Sequence, residues 1–284
     1  MTSQVMDPVH QDAQSRPMNR QPFHRRTPPA STPAGQQLRD LRRQAGLSQL
    51  DLALLAGVSQ RHLSCIETGR AKAGPGTLHA LLSALGASLE CSNAVFLAAG
   101  YAPRYHASPL DAPALAMVQA AIEHILKANN PAPAIVIDRH WDIVAANAGA
   151  AALLAMVGLA ADRLAGLNLL ELLLHPDGLG RHLANAAEVR TVAWQRASRE
   201  AGGNPELARR LRELPVPPAA DEATLATPVL LTRVNTAEGE LRFLSTFTTF
   251  GMPQDITVES LRIEHLLPAD AQTWARMARA SGLA

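Results

Sequence analysis

Ser48-Gln49-Leu50-Asp51-Leu52-Ala53-Leu54-Leu55-Ala56-Gly57-Val58-Ser59-Gln60-Arg61-His62-Leu63-Ser64-Cys65-Ile66-Glu67 is the stretch on which the rest of this chain is organised. It predicts two short helices joined by a tight turn. Ser48 is an N-cap residue, and Asp51 three places on makes an imperfect capping box. Leu50, Leu54 and Val58 keep a helical spacing. Gly57 stands where the first helix must end, because glycine accepts a left-handed backbone without a steric penalty. Ser59 then caps the second helix. On that helix Leu63 and Ile66 face inward, which leaves Gln60, Arg61, Ser64 and Cys65 outside. Ala53 is small, as a close helix crossing requires.

The flanks extend the pattern. Residues 36–45 form a helix with Leu38 and Leu41 on one face and Gly46 at its end. Gly69 ends the second helix of the pair. Arg70 and Lys72 follow in a loop broken by Gly74, Pro75 and Gly76. Thr77 opens a fourth helix with Leu78, Leu81, Leu82 and Leu85 at helical spacing. Ser92 or Asn93 opens a fifth, ending at Gly100. The result is an all-α domain of five helices over 35–100. Its central pair has the helix-turn-helix pattern, in which one helix braces and the other enters a DNA major groove.

Residues 101–113 hold Pro103, Pro109 and Pro113 and read as a linker, followed by a helix over 114–129. The character then changes. Strands are predicted at 134–138 and 141–146, and Asn147 caps the alanine-rich helix that follows. Further strands fall at 228–234, 241–250 and 260–267. Leu241, Phe243 and Phe247 share one face of their strand. Leu261, Ile263 and His265 share a face of theirs, with Glu264 opposite. Helices near 168–174, 183–201 and 205–213 lie between the strand groups, and a last helix follows Pro268. The domain over 114–284 is therefore α+β: an antiparallel sheet with helices on one side.

Charge is divided along the chain. Residues 1–100 carry ten Lys and Arg against six Asp and Glu, and the remainder carry 16 against 19. Residues 1–34 contain no Leu or Ile, six prolines, and Arg16, Arg20, Arg25 and Arg26. Such a segment buries too little apolar surface to offset its ordering entropy, so a disordered basic tail is expected. Cys65 and Cys91 form no metal or redox spacing, which suits a reducing cytoplasm. The uncharged run 143–161 contains Asn147, two glycines and many alanines, and reads as a strand and a buried helix rather than a membrane span.

Leu38-Arg39-Asp40-Leu41-Arg42-Arg43-Gln44-Ala45-Gly46-Leu47-Ser48-Gln49, with Leu52-Ala53, Gly57-Val58-Ser59 and Ile66-Glu67-Thr68-Gly69-Arg70, resembles the Xre (Cro/C1-type) helix-turn-helix regulators over 36–87. The resemblance implies that Gln49 bonds a DNA phosphate, joined by Arg70 and Lys72, and that Arg42 pairs with Glu67. It also implies that Gln60, Arg61, Ser64 and Cys65 read bases. The chemistry agrees: Arg bonds guanine O6 and N7 together, and Gln bonds adenine N6 and N7. Where the family carries Pro-Ser before the fourth helix, this chain has Ala73-Gly74-Pro75-Gly76.

A second resemblance covers 113–280. Residues 137–148, His175-Pro176-Asp177-Gly178, residues 245–251 and residues 253–257 are similar to the MmyB-like ligand-binding domain. That family implies a PAS-like fold around an apolar pocket suited to a fatty-acid-like ligand. Ile135, Ile137, Trp141, Trp194, Phe243 and Phe247 are the pocket candidates. No cofactor, metal site or catalytic residue is expected, since the chain lacks a phosphate loop, a GxGxxG, an HExxH and a nucleophile elbow. The expected partners are double-stranded DNA, a small apolar ligand and a second copy of the chain. A homodimer would span half-sites about 34–36 Å apart. The competing reading is a metabolite- or lipid-processing enzyme with an accessory DNA-binding head.

Overall fold

The computed structural model describes residues 1, 32–159, 164–218 and 228–282. The arginines of the N-terminal tail lie outside them. The first domain is five helices: α1 (Pro33–Gln44), α2 (Gln49–Ala56), α3 (Gln60–Glu67), α4 (Pro75–Ala84) and α5 (Leu89–Ala98). The capping box is complete. The Ser48 hydroxyl accepts the Asp51 amide at 3.1 Å, and the Ser48 amide donates to the Asp51 carboxylate at 3.0 Å. Gly57 has φ +67°, and Ser59 accepts the His62 amide at 3.1 Å.

Three helix starts differ from expectation. α1 begins at Pro33, with Thr32 accepting the Gly35 amide. α4 begins at Pro75, whose missing N–H costs nothing in a first turn. α5 begins at Leu89, capped by Ser88. Ser92 and Asn93 are instead buried inside α5. Asn93 holds the linker, accepting the Arg104 and Tyr105 amides and donating to the Tyr105 carbonyl.

The core of this head joins Leu38, Leu52, Leu63, Leu78, Leu81 and Phe96. Leu50 and Leu54 do not reach it: both are exposed, and α2 buries Leu52 and Ala53 instead. α1 meets the end of α3 so closely that a Cβ on Gly35 would lie 2.4 Å from the Ile66 carbonyl oxygen.

The second domain comprises α6 (Ala116–Asn129), β1 (Ala134–Ile137), β2 (Ile143–Ala146), α7 (Ala148–Met156), α8 (Leu169–Leu174), α9 (Ala186–Glu200), α10 (Pro205–Glu213), β3 (Leu231–Thr236), β4 (Gly239–Thr248), α11 (Ile256–Ser260), β5 (Arg262–Pro268) and α12 (Ala271–Ala280). The strands form one antiparallel sheet in the order β2-β1-β5-β4-β3. This is a PAS-like α+β domain, with α7–α10 inserted between β2 and β3.

Helices cover both faces of the sheet, not one. α7–α10 and α12 pack with Ile137, Leu241 and Phe243 in the main core. α6 packs its Ile122 and Leu126 on the other side against Val136 and Ile263. The run Ala134-Ile135-Val136-Ile137 already has the unbroken apolar character of a strand covered on both sides.

Trp141 departs from the expected second strand. It lies in the turn before β2 with φ +66°, a conformation costly for a bulky side chain. The Asp138 carboxylate fixes that turn by accepting the amides of His140 and Asp142. Among the described residues no helix is long and apolar enough to cross a membrane.

Candidate DNA-binding face and ligand cavity

The recognition helix α3 is held from beneath. Glu67 at its end has no exposed side-chain surface. The Arg42 guanidinium donates to both carboxylate oxygens, at 2.7 and 3.0 Å, and Arg39 donates to the Glu67 carbonyl at 3.0 Å. Gln49 completes the set, its amide donating to Glu67 Oε2 at 2.8 Å. Burial pushes the Glu67 carboxyl up, but Arg42, Gln49 and the charge of Arg39 outweigh burial and hold it below the ordinary carboxylate range.

This network ties α1, α2 and α3 at one point and leaves the outer face of α3 to solvent. Gln60 and Arg61 are exposed there, with Ser64 and Cys65 half-buried beside them. Arg70 lies past the end of α3, its guanidinium donating to the Thr68 hydroxyl. Lys72 is exposed, with its ammonium 4.7 Å from the centre of the Tyr101 ring. The Arg42–Glu67 pair thus stands as read from the sequence. The sequence carries no separate signal for the engagement of Gln49 and Arg39 with the same glutamate.

The second domain holds a cavity of about 90 Å³ between the sheet and α7–α9. Ile135, Leu154, Leu172, Leu173 and Val189 are among its aliphatic walls, and Thr232 and Glu264 are its polar lining residues. Of the six pocket candidates only Ile135 lines it. Ile137, Trp141 and Phe243 are fully packed core residues, and Trp194 packs against the same core. Phe247 is 46% exposed near the end of β4, under the Arg196 guanidinium, 3.7 Å from the ring centre. Strand parity puts Ile135, Ile137, Phe243 and Phe247 on one face, but it does not say where along that face packing leaves a gap.

A wider groove of about 860 Å³ runs beside β2, lined by Gln119, Val144, Asn168 and Arg210 among others. Its polar lining includes the bidentate Arg210–Asp142 pair, which braces the β2 turn.

Residues 118–280, more than half of the chain, match the sequence model of the MmyB-like transcription regulator ligand binding domain. The chain belongs to this MmyB-like regulator family. A helix-turn-helix domain model matches residues 34–91 of the same chain. No curated protein matches the chain. Solved structures with similar segments include the restriction-modification controller protein C.AhdI from Aeromonas hydrophila, at 32% identity over 21% of this chain and 89% of that one, with a TM-score of 0.20. The clp gene regulator ClgR from C. glutamicum gives 33% identity, 24% and 83% coverage and a TM-score of 0.21. A LOV protein from Rhodobacter sphaeroides gives 12% identity, 58% and 84% coverage and a TM-score of 0.29.

In this MmyB-like regulator the head and the ligand-binding domain are joined by more than the linker. Glu259 of α11 accepts the Leu89 amide, an otherwise unpaired donor at the start of α5, at 2.8 Å. Burial holds the Glu259 carboxyl above its ordinary value, with the charge of Glu90 adding to the effect. Arg139, in the β1–β2 turn, pairs with Glu90 of α5. His106 and Ser108 of the linker bond to Ile256 and Asp255 at the start of α11.

Proposed function

We propose that this protein is a sequence-specific DNA-binding transcription regulator that acts in the cytoplasm as a homodimer. Its DNA affinity is set by a small apolar, acyl-type ligand held in the second domain. The observation that carries the DNA-binding half is the buried Arg42–Glu67–Gln49 network, which fixes α3 with Gln60 and Arg61 outward. Gln49 and Arg70 position the head on phosphates without reading sequence, and Arg61 supplies bidentate base contact. A second copy supplies the area that one small head lacks. The largely aliphatic lining of the cavity supports the ligand half.

Among the described residues, the enzyme reading can draw on a Thr–His–Asn arrangement. The Thr248 hydroxyl, the His265 ring and the Asn129 amide oxygen stand in a line at 2.9 and 3.0 Å. None of the three lines the cavity. Burial holds the His265 ring below its ordinary pKa, which suits a neutral bridge between α6 and β4.

Fluorescence anisotropy with a selected duplex and a scrambled one tests the assignment. Arg61→Ala should remove about 1–3 kcal/mol of the difference between them. Arg70→Ala, at a phosphate contact outside the Arg42–Glu67–Gln49 network, should weaken binding to both equally. Equal losses on both duplexes from Arg61→Ala would reject base reading by α3.

A further inference from the structure

The groove of about 860 Å³ beside β2 differs in character from the aliphatic cavity. Its apolar wall includes Ile122 of α6, Val144 of β2 and Leu167. Its charged lining sets Asp111, Glu123, Asp142 and Glu171 against Arg210. Asp142 and Glu206 already hold Arg210. Asp111, Glu123 and Glu171 are exposed and enter no ion pair among the described residues. β2 is an edge strand of the sheet, so the groove is not closed by a further strand on that side. An apolar groove with three unanswered carboxylates suits an extended segment that is basic and carries a few apolar side chains.

The sequence of this chain contains such a segment, outside the described residues. Arg16-Pro17-Met18-Asn19-Arg20-Gln21-Pro22-Phe23-His24-Arg25-Arg26 has four arginines, no acid, and Met18 and Phe23 as apolar side chains. Pro17 and Pro22 favour an extended backbone. We propose that this segment docks along the groove of its own chain, its arginines facing Asp111, Glu123 and Glu171 and Phe23 lying on the apolar wall. The reach is sufficient. Arg26 stands six residues and Arg16 sixteen residues before Thr32, which allows about 20 to 55 Å at about 3.3–3.6 Å per residue. Thr32 and Ala99 line the same small cleft of the head. From Ala99 eleven residues lead to Leu110 on the groove wall, a path of at most about 40 Å. Seated there, the segment covers the β2 side of the second domain and keeps its four arginines from other polyanions.

The test is site-specific photocrosslinking in the full chain, with Phe23→p-benzoylphenylalanine, irradiation at about 50 mM salt, and mapping by mass spectrometry. A denaturing gel separates crosslinks within one chain, which keep the monomer mass, from crosslinks between chains, which double it. The expected crosslinks keep the monomer mass and join residue 23 to peptides that contain residues 110–123, 143–145 or 165–171. Glu123→Gln together with Glu171→Gln should lower their yield at least about threefold, the scale of two lost surface ion pairs, and about 1 M salt should do the same. Glu238→Gln, in the β3–β4 turn at the opposite edge of the sheet, should leave the yield unchanged. Crosslinks that fall on the head, scatter along the chain or join two chains overturn the proposal. An undiminished yield in the double variant, or an equal fall with Glu238→Gln, also overturns it. If the double variant lacks a cooperative thermal melt, the wild-type map and its response to salt decide.

Discussion

Glu67 is a carboxylate without exposed surface, and it is tolerable only because Arg42 and Gln49 surround it with donors. Removing one partner of such a pair costs more than the pair itself contributes, since the other charge stays buried. Arg42→Ala should therefore destabilise the head by about 3–5 kcal/mol, read as a lower urea midpoint. Acid should act on the same group. Its folded pKa lies below its unfolded value of about 4.3, so its stabilisation is present above that pH and is lost as pH falls through the folded value. Glu67→Gln should flatten this acid limb, and an unchanged limb would contradict the role. The pair was legible in the sequence because Arg42 and Glu67 fall within a short, well-marked motif. Glu264 was not. Alternation placed it opposite His265, but only the packed structure shows that its free oxygen has nothing to meet.

At the scale of elements, caps and glycines read well because their chemistry is local. Ser48 with Asp51, Gly57, Ser59 and Asn147 each act within a few residues of themselves. The orientation of a helix is less local. Leu50 and Leu54 share a stripe on α2, yet α3 and α4 pack on the stripe that holds Leu52 and Ala53. An eight-residue helix rich in leucine on all sides gives its periodicity little power to choose. Leu52→Ala should cost about 2–5 kcal/mol, and Leu54→Lys should stay within about 0.5 kcal/mol of wild type. Thermal melts of the two variants check this directly, and the reverse order would mean that α2 is turned the other way. The second domain shows the same division. Its strands and their apolar faces were legible, but Trp141 left its strand because the Asp138 side chain captures two following amides. The cavity was legible only at Ile135, because its wall draws on residues from 133 to 266 that meet only in the folded chain.

Across the whole molecule, two strands that line the cavity adjoin the segments that reach the head. β1 contributes Ile135 to the cavity and leads into the turn whose Arg139 pairs with Glu90. β5 contributes Glu264 and follows α11, whose Glu259 receives the first amide of α5. A ligand shifts DNA affinity only by favouring one arrangement of these contacts over another. Arg139→Ala and Glu259→Ala should therefore reduce the change in DNA affinity that an acyl-chain ligand produces, while leaving binding of that ligand unchanged by titration. An undiminished response in both variants would place the coupling elsewhere. The central claim is that α3 reads DNA sequence, and selection of duplexes from a random pool by the full chain, followed by anisotropy at moderate salt, tests it most directly. The account predicts enrichment of paired half-sites about 10–10.5 base pairs apart, or a multiple of that spacing, bound at least about 10³-fold more tightly than a scrambled duplex. Equal affinity for selected and scrambled DNA would contradict it.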